Sequence, residues 1–227
     1  MITTKERFEQ VKKSEKLKRI SDIFDLRKKK VLDIGCGMGE YLVYFGKDSV
    51  GITTTESEIQ YGKENGLNIV RGNAEFLEES NIKDKGFQVI WANNLFEHVL
   101  SPHSFLMKIR EYADEKTILI LGVPVVPFPI LLTKFSRFRG ALATNHISFF
   151  TKNTLRLSVE FAGWRVKEVR SFWFKNKLVD RLFSFLAPHI FVVAEKVTDF
   201  QYPPKKHNEW VDDKHYEYLL KMTGQNK

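Results

Sequence analysis

The sequence predicts an α/β fold: a mostly parallel sheet with helices on both faces, plus a small lid. Three observations carry that expectation. Short apolar strand candidates alternate with helical segments from Val31 onward. A glycine-rich turn follows the first of those strands, and the alternation pauses after Val123 for a segment rich in proline, aromatic and basic residues. Strands and helices alternating at this spacing imply right-handed βαβ crossovers, and parallel sheets built that way bind ligands at the C-terminal ends of their strands.

Residues 4 to 24 set Phe8, Val11, Leu17, Ile20 and Phe24 among Lys, Arg and Glu, the spacing of one or two amphipathic helices. The basic run Arg27 to Lys30 leads into a first strand, Val31 to Ile34. After the glycines at 35, 37 and 39, Tyr41 to Phe45 are expected to continue as a helix that stops near Gly46. A second strand, Val50 to Thr53, precedes a helix whose Thr55 and Glu58 have capping-box spacing and whose C′ residue is Gly66. Leu67 to Val70 form a third strand, Phe87 to Ala92 a fourth, the segment Phe105 to Tyr112 a helix and Thr117 to Leu121 a fifth strand. Beyond the proline-rich segment come a helix over Thr151 to Ala162, a strand from Arg165 to Val169, a second apolar-basic segment and a last strand, Ile190 to Glu195. The polar chain from Val197 is expected to be a mobile tail. The expected division is an N-terminal helical cap (1–30), a core domain (31–196) with a lid insertion at 125–145 and a second lid segment at 171–188, and a C-terminal tail (197–227).

A chain of 227 residues suits one domain with a substantial core, and 43% hydrophobic against 28% charged residues excludes extended disorder. The single cysteine, Cys36, excludes an internal disulfide framework and a Cys-rich zinc cluster, so a reducing cytoplasm is the expected location and no metal is expected. The first residues are too polar for a secretory signal peptide, so no export is expected. The longest apolar stretch, Ile118 to Leu132, is too short for a membrane span and is broken by Pro124, Pro127 and Pro129. A net charge of +8 favours anionic partners: nucleic acid, phosphorylated metabolites or an acidic membrane face.

The strongest local signal is VLDIGCGMGE, in which the first strand ends at Asp33 and runs into Gly35-Cys36-Gly37-Met38-Gly39. Glycines let a backbone turn tightly and approach a ligand, and a following helix N-terminus offers free N–H donors. A dinucleotide fingerprint would require a glycine at position 40, which is Glu40, and this disfavours a dehydrogenase. Further along stand Gly72-Asn73-Ala74-Glu75, then FQVIWANNLFEHV (Phe87 to Val99), then His146 to Val169 with its H-x-x-F-F-T start.

With these four segments the chain, from about residue 30 to 196, resembles the class I S-adenosylmethionine (SAM)-dependent methyltransferase superfamily, in the manner of its quinone-biosynthesis, sugar and small-molecule enzymes. The resemblance implies a Rossmann-like sheet, mostly parallel with an antiparallel last strand, and SAM as cofactor. It implies that Asp33 orients the methionine amino group, that Gly35, Cys36, Gly37 and Gly39 line the methionine and ribose side, and that Asn73, Ala74 and Glu75 form the adenine turn. Asn93, Asn94 and Leu95 would close the pocket. The family's ribose-binding acid is replaced by Thr53, followed by Thr54, with Glu56 the nearest carboxylate; three alternatives stay open, that the Thr53 hydroxyl makes one such bond, that Glu56 reaches back, or that neither does and cofactor affinity is weaker.

Methyl transfer from a sulfonium asks mainly for alignment of the acceptor. A hydroxyl acceptor also loses a proton, and the candidates to take it are His98, beside Glu97, and His146. Two segments interleave aromatics with cations, Lys134 to Arg139 and Trp173 to Phe185. An apolar wall with a basic rim suits a small, amphipathic or anionic acceptor, such as a quinone precursor or a glycan or lipid-linked intermediate, methylated on a hydroxyl or an amine, with peripheral membrane contact. Two alternatives stay open: an RNA methyltransferase, favoured by the net charge, and a SAM-binding protein without catalysis, suggested by Thr53. The oligomeric state is left open.

Overall fold

The apolar runs pair into one seven-stranded sheet of order β3-β2-β1-β4-β5-β7-β6. The computed structural model describes residues 4–80, 82, 86–214 and 216–225. Residues 1–3 of the expected cap, 81 and 83–85 of the core, and 215, 226 and 227 of the tail lie outside the described residues. The strands are β1 (Val31–Ile34), β2 (Val50–Thr53), β3 (Ile69–Arg71), β4 (Phe87–Asn93), β5 (Ala113–Pro124), β6 (Trp164–Arg170) and β7 (His189–Lys196). The first five run parallel, and β7 lies antiparallel between β5 and β6. The helices are α1 (Thr4–Lys12), α2 (Glu15–Ile23), α3 (Glu56–Glu64), α4 (Pro102–Lys108), α5 (Lys152–Phe161), α6 (Lys177–Phe183), α7 (Pro204–Trp210) and α8 (Glu217–Met222).

Side chains alternate across a strand, so the sheet sorts its apolar residues into two layers. Val89 and Trp91 of β4 pack with Val11, Ile20, Phe172 and Phe191, and the N-terminal helices cover that face. Ile90 and Ala92 turn the other way, onto Phe96, Phe105, Leu155 and Val159. Each side chain buried this way contributes about 1.5–3 kcal/mol. The residues expected to form one or two N-terminal helices thus form two, and both belong to the main packing.

Two expectations are corrected. No α-helix follows the glycines: Leu42–Tyr44 make a single 3₁₀ turn. The reason is a pin. Gly46 N donates to Lys29 O, and a Cβ on Gly46 would sit 2.6 Å from that oxygen, so the chain returns to the start of β1 before a helix can propagate. The polar C-terminal segment, in turn, folds as α7 and α8, with Tyr202, Leu219 and Leu220 buried against the main core.

The two apolar-basic segments lie side by side, because Phe128 N donates to Phe185 O. Between them a cleft of about 600 Å³ is lined by Val125 to Ile130, Thr151 to Asn153, Ser184 and Phe185. Phe128 and Ile130 of its lining are exposed, as are Phe135, Leu178 and Leu182 elsewhere on the two segments. The second segment is fastened by fully buried Asp180, whose carboxylate accepts from Arg170 Nε, Ser171 Oγ, Phe172 N and Phe174 N at 2.7–3.0 Å.

Candidate functional site

The site begins where β1 ends. Asp33 is buried, with Oδ2 lacking a hydrogen-bond partner. Burial, and then the Glu40 charge, push its carboxyl well above the ordinary aspartate range. The turn that follows is tied to β2, since Gly35 N and Cys36 N both donate to Ile52 O. The expected donors of a helix N-terminus are therefore absent here, and two of the turn's own N–H groups are committed.

Gly37 stands at φ +56, a left-handed backbone that disfavours a side chain, and the nearest atoms to a Cβ there are carboxylate oxygens: Glu40 at 3.5 and 3.8 Å, Glu58 at 4.0 Å. Glu40 is buried and ion-paired with Arg7 of α1. Burial raises its carboxyl, while its own backbone N–H and Arg7 pull it back. Asp33, Glu40 and Glu58 thus surround the glycine turn with carboxyl groups.

Several expected residues sit elsewhere than their pattern implied. Gly39 faces Ile69, Leu42 and Leu67, so its missing side chain serves packing against β3. The Cys36 thiol points away, into a cluster with Ile59 and Ile69, and burial pushes it up, so this residue offers the turn only its backbone. Glu56 does not reach back: it is exposed and paired with Arg71. Glu58 does instead, accepting from Thr53 Oγ1. Thr54 is exposed, and its carbonyl takes a bond from Arg71.

Beyond β3, Asn73 Oδ1 accepts from Glu75 N at 2.9 Å, which shapes the turn and leaves a second lone pair. Ala74 is half-buried, and Glu75 is drawn toward α4 by Leu100 N and Lys108 Nζ. At the end of β4, Asn93 Nδ2 donates to Tyr41 OH at 2.7 Å, and burial pushes that phenol up to about 12. Asn94, at φ +54, receives His189 through its Oδ1 at 3.0 Å. Leu95 lies against Gly35, 2.9 Å from where a Cβ would stand. Leu95 therefore borders the glycine turn, Asn93 bonds to Tyr41 just beyond it, and Asn94 turns to β7. Sequence reasoning missed Glu40, Tyr41 and Glu58, although the Thr55/Glu58 spacing singled out the last one for a different role.

His98 and His146 come together around Glu97. The next turn, Phe96–His98, is held by Phe96 stacking on Phe150 at 4.9 Å, and by Ile147 N and Ser148 N donating to Glu97 O. These bonds bring the end of the first lid segment onto β4. The two imidazoles meet edge to face at 4.8 Å, and their Nε2 atoms lie 3.8 and 3.9 Å from buried Glu97 Oε1. Burial pushes the Glu97 carboxyl up, opposed by its own backbone N–H and the two imidazoles.

No helix among the described residues is long and apolar enough to cross a membrane. Residues 5–169 match the family model of a methyltransferase domain. No curated protein matches the sequence significantly. Among solved structures, a SAM-dependent methyltransferase from Archaeoglobus fulgidus superposes with TM-score 0.58 at 20% identity, covering 83% of this chain and 97% of that one. One from Aquifex aeolicus gives 0.57 at 20% identity, covering 84% and 98%. One from Thermotoga maritima gives 0.58 at 16% identity, covering 80% and 87%. At these identities the likeness concerns the fold, and it agrees with the sheet order and the antiparallel β7 found here. The family model spans most of the chain, from α1 into β6, and the chain therefore belongs to the methyltransferase-domain family, with the class I SAM-dependent fold.

Proposed function

We propose that this methyltransferase moves the methyl group of SAM to a hydroxyl of a small amphipathic acceptor carrying an anionic group. What supports the reading is a carboxyl-rich glycine turn at the end of β1, together with an apolar cleft between the two aromatic-basic segments. The turn fits the cofactor on its own terms. Asp33 Oδ2 is a buried acceptor without a partner, and Asp33, Glu40 and Glu58 favour a ligand that bears a sulfonium and an ammonium. Asp33 would hold the amino group, Glu58 and Thr53 the ribose hydroxyls, Asn73 and Ala74 the adenine edge, and Asn93, Asn94 and Leu95 the wall of the pocket.

SAM supplies a methyl group activated on sulfur. The chain's own residues then have to orient the acceptor, exclude water and accept one proton. His98 Nδ1 faces Asn145 O at 3.1 Å and His146 Nδ1 faces Ala141 O at 3.3 Å. A carbonyl oxygen only accepts, so each Nδ1 carries a proton and Nε2 is the nitrogen of each ring left to exchange one. One of these nitrogens would take the hydroxyl proton as the acceptor oxygen bonds to the methyl carbon and the bond from that carbon to sulfur breaks. The exposed apolar side chains Phe128, Ile130, Leu178 and Leu182, with Lys134, Lys177 and Arg181 among them, suit an acceptor with a hydrophobic body and a negative group.

The test is transfer of labelled methyl from SAM into extracts of the source cell, followed by fractionation. Label in small organic-extractable anions is expected. Label in RNA supports the RNA-methylating alternative, and tight SAM binding with no transfer supports the non-catalytic one.

A further inference from the structure

We infer that Glu97, His98 and His146 form a binding site for a divalent transition cation of the zinc class. One ligand atom from each of the three lies within 4.8 Å of the others. All three converge as acceptors. Both histidines spend their Nδ1 protons on backbone carbonyls, Asn145 O and Ala141 O, which leaves the two Nε2 lone pairs turned on the same carboxylate. Glu97 is 1% exposed, and its Oε2 has no hydrogen-bond partner. A buried carboxylate whose Oε2 has no hydrogen bond, with two imidazole Nε2 atoms beyond hydrogen-bond reach of Oε1, offers a cation three converging ligand atoms.

The donor set is chemically specific. Two neutral imidazoles and one carboxylate are the protein ligands of open, three-residue zinc sites, which keep a coordination position for substrate. Imidazole N–H groups bonded to backbone carbonyls are the outer contacts that orient such ligands. Bonds of about 2.0–2.2 Å in a tetrahedron place ligand atoms about 3.4 Å apart, so the present spacings of 3.8 and 3.9 Å close by small side-chain rotations. The sequence expectation of no metal rested on the lone cysteine, and this cluster draws on residues 49 positions apart that the Glu97–Ile147 and Glu97–Ser148 backbone bonds and the Phe96–Phe150 stack bring together.

The site deepens the proposed reading by giving the two imidazoles a different task. With a cation bound the two imidazoles would serve as its ligands rather than as proton acceptors, and the cation would supply Lewis-acid polarisation of an acceptor oxygen. The test needs neither SAM nor acceptor. The full chain, stripped with a chelator, is titrated with Co²⁺ while its visible absorption is followed, and Zn²⁺ is then added as competitor. Saturable one-to-one binding is expected, weakened at least about tenfold by His146→Ala and by His98→Ala, with SAM affinity unchanged in both. His98 is partly exposed, so its replacement tests the site even if changes at Glu97 impair folding. Absent binding, or binding equal in the variants, overturns the site and leaves the methyltransferase reading standing; loss of SAM binding in the unmodified chain would strike that reading instead.

Discussion

Thr53 Oγ1 donates a 2.5 Å hydrogen bond to Glu58 Oε2 and accepts from Thr55 N at 3.2 Å, so a carboxylate from the first turn of α3 is folded back over the end of β2. Under the proposed reading Glu58, from the helix, stands in for the acid that the family resemblance places on β2. Hydrogen bonds to charged groups contribute about 1.5–3 kcal/mol, a factor of roughly ten or more. Glu58→Gln is expected to weaken SAM binding by at least about that factor. Glu56→Gln leaves it unchanged, because Glu56 is exposed and paired with Arg71. Calorimetric titration of both variants decides between the two carboxylates, and a larger loss at Glu56 would reverse the assignment.

Gly37→Val is expected to abolish SAM binding. Its backbone at φ +56 costs a branched residue about 1–2 kcal/mol, and the new side chain heads for Glu40 and Glu58. Gly86→Val is the control, for it carries similar strain at φ +73 with nothing within 4 Å of the new Cβ. Both variants should melt earlier, and only the first should lose the cofactor. Retained affinity in a folded Gly37→Val protein would show that the adenosyl space lies elsewhere.

SAM affinity should rise with pH through the range in which Asp33 ionises. Burial first, and the Glu40 charge second, raise the Asp33 carboxyl above its ordinary 3.8. Such a group favours the folded chain below that value, and the advantage is lost as pH climbs through the raised folded value. A bound cation acts in the opposite sense, holding the carboxyl ionised and releasing a proton. Binding heats measured in buffers of different ionisation enthalpy reveal that proton. Asp33→Asn should flatten both the pH profile and the release, and a flat profile in the unmodified protein would contradict the role.

The anchor of the second lid segment is expected to be acid-labile. Burial would raise Asp180, but bonds from Phe174 N, Ser171 Oγ, Phe172 N and Arg170 outweigh it and hold the carboxyl below its ordinary 3.8. Its contribution is therefore present above pH 3.8 and lost as pH falls through the lowered folded value. Asp180→Ala strands buried Arg170 and should cost about 3–5 kcal/mol at neutral pH. Thermal melts at neutral and acid pH should show the variant's deficit shrinking in acid; a constant deficit would place the effect in packing alone.

The alternation of apolar runs and the glycine turn made the sheet readable, because each strand's pattern is local and each covering helix carries its own period. What escaped depended on partners distant in sequence. Glu40 reads as an exposed acid until Arg7 of α1 is seen beside it. Glu58 shares the spacing of a capping box with Thr55, yet the Thr55 side chain makes no cap bond and Thr53 takes the carboxylate. The short helix expected after Gly39 is prevented by the Gly46 to Lys29 bond across β1. The C-terminal segment is polar in composition, but Tyr202 pairs with His103 of α4 and with Trp210, and Tyr218 of α8 donates to Ser104 of α4. His98 and His146 were identifiable as residue types, whereas their convergence on Glu97 required the lid to return to β4.

The structure of the chain crystallised with S-adenosylhomocysteine tests the central claim most directly. Density for the ligand over Gly35 to Gly39, with its amino group at Asp33 and its ribose hydroxyls on Glu58, is the predicted result. Density at another place on a well-ordered protein, or none at saturating ligand, would contradict it.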